Sequence, residues 1–146
     1  MPVASMNPYQ EKPAEEMVLY EKIDRHIARV TLTRPEKGDA ILHGVMEIEL
    51  AKALERGQNN DEVKAIILAG SGRHFCSGED VRRMPIESAR KKGEKLPQSF
   101  RMRFATVDME RTKRMFLYNS KTIIAVCQGG AGVGDADGAV LRRHCR

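Results

Sequence analysis

The chain has 146 residues, 41% hydrophobic and 31% charged, enough for one buried core in a single soluble domain. Its net charge of +5 admits nucleic acid, an anionic membrane surface or a polyanionic cofactor as partners. No apolar run is long enough to cross a bilayer, and the few aromatics do not alternate with the basic residues as base-stacking platforms would. The positive charge is spread along the chain, with local knots at Arg90-Lys91-Lys92 and Arg142-Arg143. Both observations argue against a membrane protein and against nucleic-acid binding. The three cysteines, Cys76, Cys127 and Cys145, show no Cys-x-x-Cys spacing, and no signal-peptide pattern precedes them. A reducing compartment, cytoplasmic or an organelle matrix, follows, without a disulfide framework or zinc site.

Met1 to Glu16 is polar, carries three prolines and has no periodicity, so residues 1–16 read as a flexible arm. Val18 to Glu21 and Ile27 to Thr33 are β-branched runs separated by Asp24-Arg25-His26, the pattern of an antiparallel hairpin. Arg34-Pro35 ends the second strand, because Pro cannot donate to a ladder. Ile41 to Arg56 carries Ile41, Val45 and Ile48 beside Met46, Leu50 and Leu54, which predicts an amphipathic helix. Val63 to Ala69 follows as a strand and runs into the turn Gly70-Ser71-Gly72.

Pro85 to Pro97 is rich in Lys, Arg and Glu and reads as a solvated connection. Phe100, Phe104, Val107 and Met115 recur at helical spacing and predict a second amphipathic helix over Gln98 to Tyr118. Thr122 to Cys127 is expected to be a buried strand, and glycines follow it. Strand, helix, strand, helix, strand is α/β order, with a largely parallel sheet and covering helices.

Three blocks carry the chemistry. The first is Arg34-Pro35-Glu36-Lys37-Gly38-Asp39-Ala40. The second is Arg73-His74-Phe75-Cys76-Ser77-Gly78-Glu79-Asp80-Val81. The third is the strand Ile123 to Val126 with Gln128-Gly129-Gly130-Ala131-Gly132-Val133-Gly134. A strand that ends in a glycine-rich turn leaves backbone N–H groups at its tip, and these can stabilise a developing oxyanion. A plain structural turn explains any one such block equally well.

Together, in this order and at these separations, the blocks resemble the crotonase superfamily of acyl-CoA hydratases and isomerases, over about Met17 to Gly134. The resemblance implies the N-terminal part of a layered β-sheet and helix (ββα) fold of the α/β class, with residues 17–134 as core and 135–146 as an atypical tail. It also implies an acyl-CoA thioester as substrate, with coenzyme A part of that substrate and no tightly bound cofactor. Two backbone N–H groups then grip the thioester oxygen and stabilise an enolate. By motif position these belong to Glu79, after Phe75-Cys76-Ser77-Gly78, and to Gly134. Pro35, Glu36, Lys37, Ala40, Glu79, Asp80, Val81 and Arg82 fall on the family's acyl-CoA slot. Lys37 is placed to meet a phosphate, and an ordinary surface lysine accounts for it equally well. The Glu79 side chain is expected to point outward or to cap a helix, since a carboxylate beside the anionic intermediate would repel it. A simple helix-start preference for acids is the plainer explanation of Glu79 and Asp80.

Departures from the family pattern are informative. Asp39 stands where the family has Asn. Asp137 occupies the position of the first hydratase glutamate, as a shorter carboxylate in a charged, glycine-flanked segment, and the second falls beyond Arg146. The family's C-terminal helices, which complete its pocket and its homo-oligomers, also lie beyond that point. Reading degenerate codons for Gly134 to Arg146 one base forward permits Ala-Met-Arg-Met-Val-Leu-Ser-Cys-Asp-Val-Ile-Ala, which resembles the family's next helix and strand. A run of about a dozen compatible positions points to a frameshifted, truncated product. Turnover is therefore expected to be impaired; the alternative is a non-catalytic acyl-CoA-binding or RNA-binding module, or a fragment without function. None of His26, His43, His74 and His144 sits at a catalytic or metal spacing from Cys or acid, and only His74 adjoins the expected pocket. Cys76 reads as a small core residue.

Overall fold

The computed structural model describes residues 13–83, 89–103 and 110–132. Four strands form one sheet in the order β1 (Val18–Lys22), β2 (Ile27–Leu32), β3 (Ala65–Gly70) and β4 (Thr122–Val126). The sheet is mixed: β1 and β2 form the expected antiparallel hairpin, with Val18 opposite Leu32, while β2, β3 and β4 run parallel. The hairpin bend is held by the Asp24 carboxylate, which accepts the His26 N–H at 3.2 Å. His26 in turn donates from Nδ1 to the Glu62 carbonyl at 2.9 Å, tying the hairpin to the approach of β3.

Helix α1 (Met46–Gln58) crosses one face of this sheet. Alternation in β2 turns Ala28, Val30 and Leu32 toward it, and in β3 it turns Ile66 and Leu68 the same way. The helix answers with Met46, Leu50 and Leu54, spaced four apart on one stripe, all within the same core. Gly57 completes that stripe: a Cβ there would stand 2.7 Å from Ile66 Cδ1, so a larger residue would require the Ile66 side chain to shift. On the far side, Arg56 stacks over the Tyr20 ring at 4.5 Å.

The helix begins five residues later than the periodicity predicts. Ile41 is engaged in a bridge with Glu79, and Gly44 has φ 70°, a left-handed conformation that no α-helix continues through. The expected Gln98–Tyr118 helix is described as two pieces, α2 (Gln98–Arg103) and α3 (Glu110–Leu117); Phe104 and Val107 lie outside the described residues. Within Pro85 to Pro97, residues 89–91 are helical and Ala89 is buried, so that part of the segment is more ordered than its charge suggests. Helix α3 packs on α1, where Thr112 donates from its hydroxyl to the Glu47 carbonyl at 3.0 Å. Of the expected arm, Ala14–Glu16 forms a 3-10 turn, and the Thr33 hydroxyl bonds to the Glu16 carbonyl.

The burial of β4 differs from expectation. Ile123 packs against the core, but Ile124 is 50% and Val126 48% exposed, so this strand is an uncovered edge. None of the described helices is long and apolar enough to cross a membrane.

Candidate active site at the carboxyl ends of the parallel strands

Three loops leave the parallel strands at the same end of the sheet, the end at which open α/β sheets bind ligands. Each loop carries one of the sequence blocks, and a network of buried polar contacts locks them together.

The loop after β2 is organised by Asp39. Its carboxylate is fully buried and accepts three hydrogen bonds. Oδ1 takes the Arg34 N–H at 2.7 Å and the Ser71 hydroxyl at 3.1 Å, and Oδ2 takes the Gly72 N–H at 3.0 Å. All three partners are donors, so an acceptor-only carboxylate satisfies the site completely. Asp39 itself has φ 55°, a conformation that Asp and Asn tolerate better than most side chains. Pro35–Lys37 form an exposed 3-10 turn, closed by the Gly38 N–H on the Pro35 carbonyl.

Arg34 does more than end a strand. Its side chain is 1% exposed, donates from Nη1 to the Ala40 carbonyl at 2.6 Å, and pairs from Nη2 with Asp80 at 2.9 Å. This pair fixes the second residue block to the first. Asp80 is therefore committed to the scaffold, and Ala40 is buried beneath it. Val81 and Arg82, on the 3-10 turn Val81–Arg83, are exposed. Arg34 was missed because nothing in the local pattern distinguishes a buried arginine from a solvated one. Its acidic partner stands 46 residues away.

The loop after β3 runs beside Ile41 as a short parallel bridge. The Ile41 N–H donates to Gly78 at 2.7 Å, and the Asp80 N–H donates to Ile41 at 2.9 Å. In such a bridge Glu79, the residue between, turns its own N–H to the opposite side. Among the described residues that N–H donates to no acceptor. The Glu79 side chain does not point outward, as expected, but lies with His43 and Glu47, and its Oε1 is buried. The backbone that would serve chemistry and the side chain that would disturb it therefore part company at this residue.

The loop after β4 zips onto the other edge of the same segment. Phe75 N–H donates to the Gln128 carbonyl at 2.8 Å, and Gly132 N–H donates to Cys76 at 3.0 Å in a second parallel bridge, Cys76 to Ala131. The Gln128 amide donates to the Gly70 carbonyl at 2.8 Å. Gly129 (φ 60°) is where the strands come closest; a Cβ there would lie 2.1 Å from the Arg73 carbonyl oxygen. His74 does adjoin this region, and its Nδ1 accepts the Gly130 N–H at 2.9 Å, which places any ring proton on Nε2. Gly134 and Asp137 lie outside the described residues.

Burial pushes the Cys76 thiol above its ordinary pKa, so it rests as a neutral group packed on the core, as expected. The reading that no histidine meets an acid is overturned. His43 Nδ1 stands 3.3 Å from the Glu47 carboxylate, with both side chains more than nine-tenths buried. The spacing, four residues apart, was visible in the sequence; the left-handed turn that aims His43 back at the helix start was not.

The sequence pattern of the enoyl-CoA hydratase/isomerase family matches residues 22–134. A "Probable enoyl-CoA hydratase" of Rhodobacter capsulatus is 47% identical over 64 residues, covering 44% of this chain and 23% of that protein. The "Probable enoyl-CoA hydratase 1, peroxisomal" of Arabidopsis thaliana is 32% identical over 101 residues, 69% of this chain and 36% of that protein. The crystal structure of an enoyl-CoA hydratase/isomerase from Xanthobacter autotrophicus Py2 superimposes with a TM-score of 0.60 at 28% identity, over 78% of this chain and 39% of that one. The matched part of this chain thus spans well under half the length of each of these proteins. On the family match, the strand order and the three interlocked loops, this chain belongs to the enoyl-CoA hydratase/isomerase, or crotonase, family.

Proposed function

We propose that this chain binds an acyl-CoA thioester and polarises its carbonyl through the backbone N–H of Glu79. The observation that carries the reading is that N–H, which has no acceptor among the described residues and is held in place by bridges on either side. A donor fixed before the reaction begins needs no reorganisation when negative charge develops on the oxygen. The second donor is assigned to Gly134 by its motif position alone, since that residue lies outside the described residues. The exposed Pro35, Glu36 and Lys37, with Val81 and Arg82, are the residues assigned to the coenzyme A moiety, which arrives as part of the substrate.

Turnover is expected to be weak. Stabilising an enolate lowers only part of the barrier to water addition. A placed acid or base contributes typically ~10²–10⁴ more, and Asp137 is the single carboxylate assigned to that role. Calorimetry with an acyl-CoA at low salt should show weak binding that declines as salt screens the phosphates. Glu79→Pro, which deletes the N–H, should abolish carbonyl polarisation in the difference infrared spectrum of the bound thioester, while Glu79→Gly retains it. No binding by the folded wild-type chain would refute the reading. So would a carbonyl band that Glu79→Pro leaves unshifted.

A further inference from the structure

The side chains of His43, Glu47 and Glu79 are given no role in gripping a thioester, which falls to the Glu79 backbone, yet they gather three metal-ligating groups in a buried place. One donor atom from each lies within 4.8 Å of the other two. The His43 and Glu47 side chains are 8% and 7% exposed. Glu79 Oε1 is enclosed and accepts no hydrogen bond among the described residues. Glu47 also accepts the Gly44 N–H at 3.1 Å, so its carboxylate is oriented before any ligand arrives.

Two carboxylates held this close repel one another unless a proton or a cation lies between them. The donor set discriminates between these. One imidazole nitrogen with two carboxylate oxygens is the ligand chemistry of divalent transition-metal ions, and a doubly charged ion cancels both carboxylates. Bond lengths agree as well. Ligands about 2.1 Å from a tetrahedral ion stand about 3.4 Å apart, and His43 Nδ1 and Glu47 Oε2 stand at 3.3 Å. Glu79 has at most about 1.4 Å to close, within reach of a side-chain rotation.

We propose that His43, Glu47 and Glu79 bind one divalent transition-metal ion of the zinc class. The ion would clamp the Cys76–Asp80 loop to the first turn of α1. Its three ligands come from two chain segments that also meet through the Ile41 bridge. The site stands independently of thioester binding.

The test uses the full chain freed of metal by chelation, titrated with Co²⁺ and then Zn²⁺. The expected result is one equivalent of Co²⁺ with visible d–d absorption and no thiolate charge-transfer band. Zinc should displace it, and the thermal midpoint should rise with occupancy. Glu79→Gln, which preserves shape, should weaken binding at least tenfold, and His43→Ala should abolish it. Circular dichroism confirms that each variant is folded. If His43→Ala does not fold, the Glu79→Gln affinity alone decides. Absence of uptake by the folded wild-type chain would overturn the proposal. A thiolate band, which would place the ion on a cysteine, overturns it equally, as does an affinity that Glu79→Gln leaves unchanged.

Discussion

The two sides of β3 are built from similar residues and end in different environments. On one side, β2 and β3 place Val30 and Ile66 beneath α1, both with no exposed surface. On the other, β4 continues the parallel register: Ile123, opposite Ile66, packs against the core, whereas Ile124, opposite Ile67 on the face away from α1, is half exposed. Phe116, Leu117 and Tyr118, at the end of α3, are also exposed. Hydrogen bonding of the ladder and burial of its side chains are thus separable. A strand's own sequence suffices for the first, and the second depends on which element lies over it.

Substitutions can break this contrast or sharpen it. The largest effect is expected at the polar lock. Arg34→Met leaves the nearly buried Asp80 carboxylate without its partner and should destabilise the fold by about 3–5 kcal/mol in urea unfolding. Adding Asp80→Asn should recover part of that loss. Full additivity of the two changes would mean that the pair is not coupled. Next comes the covered face. Leu54→Ala, at a position with no exposed surface, should lose about 2–5 kcal/mol. The uncovered edge should be far more tolerant, with Ile124→Ala within about 1 kcal/mol of wild type. Equal losses at Leu54 and Ile124 would show that β4 is covered in solution by something this chain alone does not supply.

The smallest effect lies at the rim. Glu62, hydrogen-bonded to and paired with Lys22, holds its carboxyl below the ordinary carboxylate value. The folded chain therefore binds that proton less readily than the unfolded chain. The contribution is complete above the unfolded value and disappears as pH falls through the lowered one. Because the carboxylate is fully exposed, Glu62→Gln should scarcely move the unfolding midpoint at neutral pH, and not at all at high salt. A salt-independent shift would mean that the pair is shielded.

How much of this was legible in the sequence follows from the range of each interaction. The hairpin, the strand before Gly70 and the glycine blocks are local patterns, and each stands where its residues indicated. The start of α1 was misplaced because apolar spacing continues back to Ile41, whereas the chain's path there is decided by Gly44 and by a bridge to residue 79. The inward turn of Glu79, the burial of Arg34 and the encounter of His43 with Glu79 all depend on segments tens of residues apart. No window along the chain contains both partners. The substitution of Asp for the family's Asn at position 39 looked like a defect in sequence. In the fold it meets three donors.

The two flanking bridges also constrain the order of assembly. The segment from Cys76 to Glu79 is the middle strand of a miniature ladder whose outer members are Ile41 and Ala131. Closing it requires contacts across 38 residues on one side and 55 on the other, so it forms late, after the hairpin and α1 have reduced the search. During synthesis the chain must emerge past residue 131 before this ladder can close. Until then its unpaired edge is available to any other extended segment nearby.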